Sequence, residues 1–252
     1  MMKKLITAIA MAGAAGAFAM QGSVSTETET FSGDVKWHAR DKKYVIEKGK
    51  ITKEFALADV TGLDIPKPPT FDKAVSQVEA GQGSSAIPAL AKIVADYKML
   101  QWDKPAGRYL VEAYLAANNA QKAYEVAESI IKEDKSAEWR GDLAPAYWQA
   151  LLKLGKNQKL EALVKKAAIS GDRAASASAL VMRGDIILAT EGDSQDSYKK
   201  ALTDAYLRVM LMYADEPCRE ARLQAMQKAA GCFDKLGQAS RAEQIRSQAR
   251  KI

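Results

Sequence analysis

The amino-acid sequence predicts a mainly α protein: an α-solenoid of about five helical hairpins, preceded by a short three-stranded antiparallel β meander. Three observations carry that expectation. Gly or Asn recurs at helix-stopping positions 81, 118, 155 and 192, each 37 residues after the last, and Gly237 follows after 45. Apolar residues beyond Thr70 fall at helical spacing, whereas those of residues 35–57 alternate with polar ones. With 48% hydrophobic and 27% charged residues among 252, the chain can bury a sizeable core, which excludes wholesale disorder, collagen and a disulfide-dense mini-protein.

The first segment reads as a targeting signal. Met1-Met2-Lys3-Lys4 is a positive start, Leu5 to Ala19 is an uncharged run, and Ala17-Phe18-Ala19 has the small-x-small spacing of a cleavage site. Residues 1–19 are therefore expected to be a cleaved signal peptide; a membrane span would need about 20 strongly apolar residues, and this run is short and rich in Ala and Gly. No later stretch suits a bilayer, so the expected location is periplasmic or secreted, with no transmembrane segment after cleavage. Residues 20–30 (MQGSVSTETET) are polar and read as a flexible segment.

Residues 31–65 read as a small β module. Val35, Trp37 and Ala39 alternate with polar neighbours, as do Tyr44 and Ile46, and then Ile51, Phe55 and Leu57. Asp41-Lys42 and Glu47-Lys48-Gly49-Lys50 supply the turns, with Gly49 free to take positive φ. About 35 residues are too few to be stable alone, so this module is expected to dock on the helical region or on a partner. Residues 66–69, Pro66-Lys67-Pro68-Pro69, make a stiff linker.

Residues 70–252 read as the repeat domain. Gly or Asn at each stop point suits a helix C-terminus that ends in the left-handed conformation, and spacing this regular indicates stacked repeats. The longer interval before Gly237 fits a lengthened second helix in the fourth unit, from about Ser194 to Tyr213. The prolines outside the linker, Pro88, Pro105, Pro145 and Pro217, follow the candidate N-caps Ser84 or Ser85, Asp103, Asp142 and Asp215 within a first turn, where a missing N–H costs little. Ser240-Arg241-Ala242-Glu243 reads as a capping box opening the last helix.

On these residues the chain resembles the tetratricopeptide-repeat family. Leu110, Val111, Tyr114, Asn118, Ala123, Ala127 and Ile130 fall on its signature positions, as do Tyr147, Trp148, Leu151, Gly155, Val164 and Ala167, with Leu160 in place of a small residue. Ala229, Ala230, Phe233, Gly237, Ala242 and Ala249 match in the fifth unit. The first and fourth units match poorly, and the period exceeds the family's usual length of about 34. The resemblance covers about residues 70–252 and implies a right-handed solenoid with a concave, peptide-accepting groove and no catalysis. Carried over by register, the groove residues would be Arg108, Glu112 and Leu115 in the second unit and Gln149, Leu152 and Lys153 in the third. The Lys/Asn clamp that some members use for C-terminal carboxylates is absent.

No catalytic or metal constellation emerges, and no cofactor is expected. His38, the sole histidine, reads as an outward-facing strand residue beside Trp37. Gly81-Gln82-Gly83 lacks the third glycine, the preceding strand and the lysine of a phosphate cradle. Asp193/Asp196 and Asp215/Glu216 sit at helix starts, where they complement the dipole. Met210 and Met212 lie about 200° apart around one helix, which disfavours a copper site. Cys218 and Cys232 would sit about 21 Å apart along a continuous helix, well beyond the reach of a disulfide of about 7 Å. Trp37, Trp102, Trp139 and Trp148 are conceivable sugar-stacking platforms, although Trp148 lies on a core stripe.

The charge is local. Lys3 and Lys4 leave with the signal, lowering +6 to +4, and the excess lies in the C-terminal hairpin. Arg219, Arg222, Lys235, Arg241, Arg246, Arg250 and Lys251 form a candidate basic patch for anionic envelope surfaces, weighed against an ordinary solvated cap on the array. Nucleic acid is a poor partner for an exported chain. The expected function is a non-enzymatic scaffold for a protein or peptide partner in the bacterial cell envelope. The alternative is a structural subunit of an outer-membrane or cell-wall-associated complex, held by its basic C-terminal helices.

Overall fold

The computed structural model describes residues 19–252; the expected signal peptide lies, but for Ala19, outside the described residues. The chain divides into two compact units, the first ending at Pro66 and the second running Lys67–Ile252.

Alternation builds the first unit as a single antiparallel sheet. Its strands are β1 (Met20–Ser25), β2 (Thr30–His38), β3 (Lys43–Lys48), β4 (Ile51–Ala56) and β5 (Gly62–Asp64), in the order β4-β3-β2-β1-β5. The register lines Trp37, Tyr44 and Phe55 across one face, with Val35 beside Ile46 and Val24 between Phe31 and Leu63. The Trp37 and Tyr44 rings pack tilted to one another, 4.8 Å between centroids. The other face is polar around the buried Val45, tied across strands by Lys36–Glu47 at 2.9 Å and Lys43–Glu54 at 2.7 Å.

The sheet thus has five strands rather than three, and the segment expected to be flexible supplies β1. Its Ser and Gln residues, whose polarity suggested flexibility, occupy the polar face, while Val24 is buried. Gly22 is there because the chain crosses it: a Cβ would lie 2.5 Å from Ile65 Cδ1 and 2.6 Å from the Asp64 carbonyl. β5 is too short to display a period. Ala39, Ile51 and Leu57, expected inward, are exposed, for they lie in the turn after β2, at a hairpin end and in a 3-10 turn (Leu57–Asp59).

The second unit consists of five helical hairpins. They are α1 (Phe71–Glu79) with α2 (Gly83–Asp96), α3 (Asp103–Ala116) with α4 (Ala120–Ile131), and α5 (Leu143–Lys153) with α6 (Asn157–Ala168). Next come α7 (Arg173–Glu191) with a broken partner, α8 (Gln195–Ala201), a π turn (Leu202–Tyr206) and α9 (Leu207–Met212), and then α10 (Arg219–Lys235) with α11 (Ala239–Ala249). All five stop residues have positive φ: 76° at Gly81, 55° at Asn118, 64° at Gly155, 78° at Gly192 and 72° at Gly237, although ψ of −171° takes Gly192 out of the left-handed helical conformation. At four of them the following residue donates its N–H back into the ending helix, as Asn119 does to Tyr114 O at 2.8 Å, which closes orphan carbonyls.

That same residue is the N-cap of the next helix, so the turn itself sets where the helix starts. Two expectations fail for this reason. α2 begins at Gly83, which puts Pro88 inside the helix rather than in its first turn, and Ser240 lies within α11, whose N-cap is Gln238. The capping box is instead Ser194 with Ser197, opening α8. Asp103 is the first residue of α3 rather than its cap, and its buried carboxylate accepts from Met99 N at 2.8 Å.

Each first helix packs on the next first helix, α1 on α3, α3 on α5, α5 on α7 and α7 on α10. Each second helix packs on the first helix of the following hairpin, which is how stacked repeats share a core. Phe71, Leu90 and Leu110 fill the start of that core, Tyr147, Trp148 and Leu151 its middle, and Tyr206, Met226 and Phe233 its end. No helix among the described residues is long and apolar enough to cross a membrane.

Candidate functional site

The inner face of the array is written by spacing along the first helices. Residues four apart lie one above the other, and the inward rows are Arg108 and Glu112 on α3, Pro145 and Gln149 on α5, Ser178 and Met182 on α7, and Glu220 and Gln224 on α10. A cleft of about 110 Å³ lies between Arg108, Glu112, Trp139, Pro145, Ser178 and Glu220. A second, of about 80 Å³, lies between Leu115, Gln149, Val181 and Met182. The two share Glu112, Pro145, Ser178 and Gln224, so they lie side by side along the inner face, here called the groove.

A polar cluster stands at each end. At one, Arg108 Nε donates to Glu112 Oε1 at 3.0 Å, while Nη1 donates to Glu220 Oε2 at 2.8 Å and Nη2 to Glu220 Oε1. Burial disfavours the Arg108 cation, yet the carboxylates of Glu112 and Glu220 outweigh it and raise its pKa. Burial likewise pushes the Glu112 carboxyl up, against the pull of Arg108. At the other end, Asp185 is 8% exposed and accepts from Gln149 Nε2 at 2.5 Å, Tyr206 Oη at 2.7 Å and Lys228 Nζ at 2.8 Å. One carboxylate thereby ties together α5, α7, the π turn and α10.

Of the six residues expected in the groove, Arg108, Glu112, Leu115 and Gln149 line it. Leu152 is half-buried against the middle core, and Lys153 is exposed at the end of α5, away from both clefts. Sequence reasoning did not single out Asp185, Tyr206, Glu220, Gln224 or Ser178, and it counted Lys228 only toward the C-terminal basic excess. Gln149 and Glu112 stand six residues before their turns, but the same count back from Gly192 and Gly237 reaches Ile186 and Gly231, which line neither cleft.

The basic patch is largely paired within the chain. Arg219 donates to the main-chain oxygen of Ile252 at 2.7 Å, Arg246 pairs with Asp234, Arg250 with Glu243 at 2.8 Å, and Lys235 with Asp193 at 3.5 Å. Arg241 donates to Gln238 at 2.8 Å, Arg222 is half-buried, and Lys251 is exposed.

The remaining candidates scatter. His38 is exposed at the end of β2. Trp148 is fully buried beneath the first cleft, with Nε1 donating to the Glu138 carbonyl at 2.9 Å, and Trp139 also lines that cleft. Met210 packs on the last core cluster, and Met212 is exposed. Both cysteines are buried, and burial is the main cause that pushes each thiol up to about 11. Among the described residues no cluster of His, Cys, Asp or Glu could hold a metal.

No protein-family model and no curated protein matches the chain. Among solved structures it is similar to nearly identical TPR-like repeats of a kinesin light chain from Podosopora anserina, in a singly substituted form and an unsubstituted one. Both are 16% identical and cover 71% of this chain and 91% of theirs, with TM-scores of 0.41 and 0.40. It is also similar to MamA from AMB-1, 18% identical over 71% of this chain and 95% of that one, with a TM-score of 0.34.

Proposed function

We propose that this chain is a non-enzymatic, exported interaction module of the bacterial cell envelope, holding a segment of a partner protein in the inner groove of its helical array. One observation carries the reading: α3, α5 and α7 bring Leu115, Pro145 and Met182 together as an apolar floor between two polar clusters. Such a surface is ordered before the partner arrives, so little entropy of ordering opposes binding. Glu112, Asp185 and Glu220 are each already held by cationic or amide donors, an arrangement suited to fixing helices rather than moving protons. Export rests on the leader of residues 1–19. Anchoring by the C-terminal patch is the weaker reading, because Arg219, Lys235, Arg246 and Arg250 already have acceptors within the chain.

The test is in-cell photocrosslinking with mass spectrometry. A crosslinker at Ser178, in the groove, is expected to capture a discrete protein partner that the same group at the exposed Glu161 of α6 does not. Equal capture at both positions, or none at Ser178, overturns the reading.

A further inference from the structure

The Arg108–Glu220 contact joins residues 112 apart in the chain and spans from the second hairpin to the fifth. No packed helix–helix interface joins α3 to α10; each packs on its own neighbours in the stack. The two helices are thus bridged across the groove by this side-chain pair. The two partners are unequally held. The Arg108 side chain is 18% exposed, fixed by Glu112 and laid over the Tyr109 ring at 5.0 Å. The Glu220 side chain is 51% exposed, on the first turn of α10, with Gln224 its other donor at a long 3.4 Å. Arg108 is therefore the fixed half and Glu220 the half that can leave.

From this geometry we infer that Arg108 and Glu220 form a clasp that closes the inner groove, and that the groove accepts its partner when Glu220 lets go. The inference rests on the groove-binding reading above and adds its regulation. Arg108 loses no packing when the clasp opens, because Glu112 and Tyr109 still hold it. A half-exposed ion pair opens readily and is weakened by salt. A protein whose competent state is only partly populated binds with an affinity reduced by that fraction, so the clasp lowers the apparent affinity by the fraction of time it is closed.

The experiment uses the full chain with spin labels at Ala116→Cys on α3 and Gln227→Cys on α10, both exposed. The native thiols, buried and raised to about 11, stay protonated and unlabelled at neutral pH. Pulsed electron–electron resonance is expected to give one short distance population in the parent and an added longer one in Glu220→Gln. Glu216→Gln, which removes an acid from the same helix start without touching Arg108, is expected to behave as the parent. Glu220→Gln is also expected to raise partner capture at Ser178 by about fivefold. Unchanged distances in Glu220→Gln, or unchanged capture, overturn the clasp. Unchanged distances with normal capture by the parent remove the clasp alone, whereas absence of capture in every variant removes the groove-binding reading beneath it.

Discussion

Asp185 shows how much a single side chain carries in this array. It is buried on α7 and receives an amide, a phenol and an ammonium from three other segments. Removing it strands the Tyr206 hydroxyl and the Gln149 amide in low dielectric. Asp185→Ala is expected to cost about 3 kcal/mol, at the low end for a broken buried pair because Lys228 keeps access to water. Tyr206→Phe is expected to cost about 1–2 kcal/mol, since Asp185 keeps two donors. Urea unfolding followed by circular dichroism checks both, and equal costs would show that Asp185 acts only through Tyr206. The phenol also gives a pH signature. Burial and Asp185 raise the Tyr206 pKa, and burial and Glu128 raise that of Tyr147. Both are raised above their unfolded value of about 10, so their contribution is full below pH ~10 and is lost as pH rises beyond it. Alkaline titration is expected to leave these two of the nine tyrosines protonated until the chain unfolds, with stability falling from pH ~10 upward. Full phenolate absorbance from a still-folded protein would contradict the hydrogen bonds described.

At the scale of elements, the hairpin turn is the unit that repeats. Gly155 has φ of 64°, and a Cβ there would meet nothing within 4 Å, so the cost of Gly155→Ala is purely conformational and is expected to be about 1 kcal/mol. Asn118→Gly at the equivalent turn is expected to change stability by less than about 0.5 kcal/mol, since Asn already tolerates that conformation. Chemical denaturation of the two variants separates them. These turns were legible because few residue types fit a helix end with positive φ and because four of them recur every 37 residues. Helix starts were less legible: Gln82, Lys156 and Gln238 begin helices because they follow a left-handed residue, whatever their own capping ability. β1 was hidden by composition, its polar side chains belonging to the solvent face of a sheet whose inner face needs little from that strand beyond Val24 and room at Gly22. The groove was legible on α3 and α5, where the register to the turn is short and regular. It was not on α7 and α10, whose 19 and 17 residues and the intervening π turn shift the phase that brings Tyr206 to Asp185.

Across the whole second unit, stability is shared by nearest neighbours, because each hairpin buries its faces only against the one before and the one after. Position in the stack therefore decides how far a local defect spreads. Trp148 is fully buried in the middle cluster, on a helix that packs against both α3 and α7. Trp148→Ala is expected to cost about 3–5 kcal/mol and to uncouple the two ends, so that one unfolding transition becomes two. Ile245 is also buried, but α11 belongs to the last hairpin and packs against α10. Ile245→Ala removes a comparable apolar contact, expected at about 2–4 kcal/mol, yet its loss of hydrogen-exchange protection is expected to stay within α10 and α11. Exchange measured residue by residue in the two variants distinguishes a stack from a single undivided core. Loss of protection spreading from Ile245→Ala to α3 and α4 would mean that the array unfolds as one body, and the clasp between α3 and α10 would then be the first place to look for the coupling.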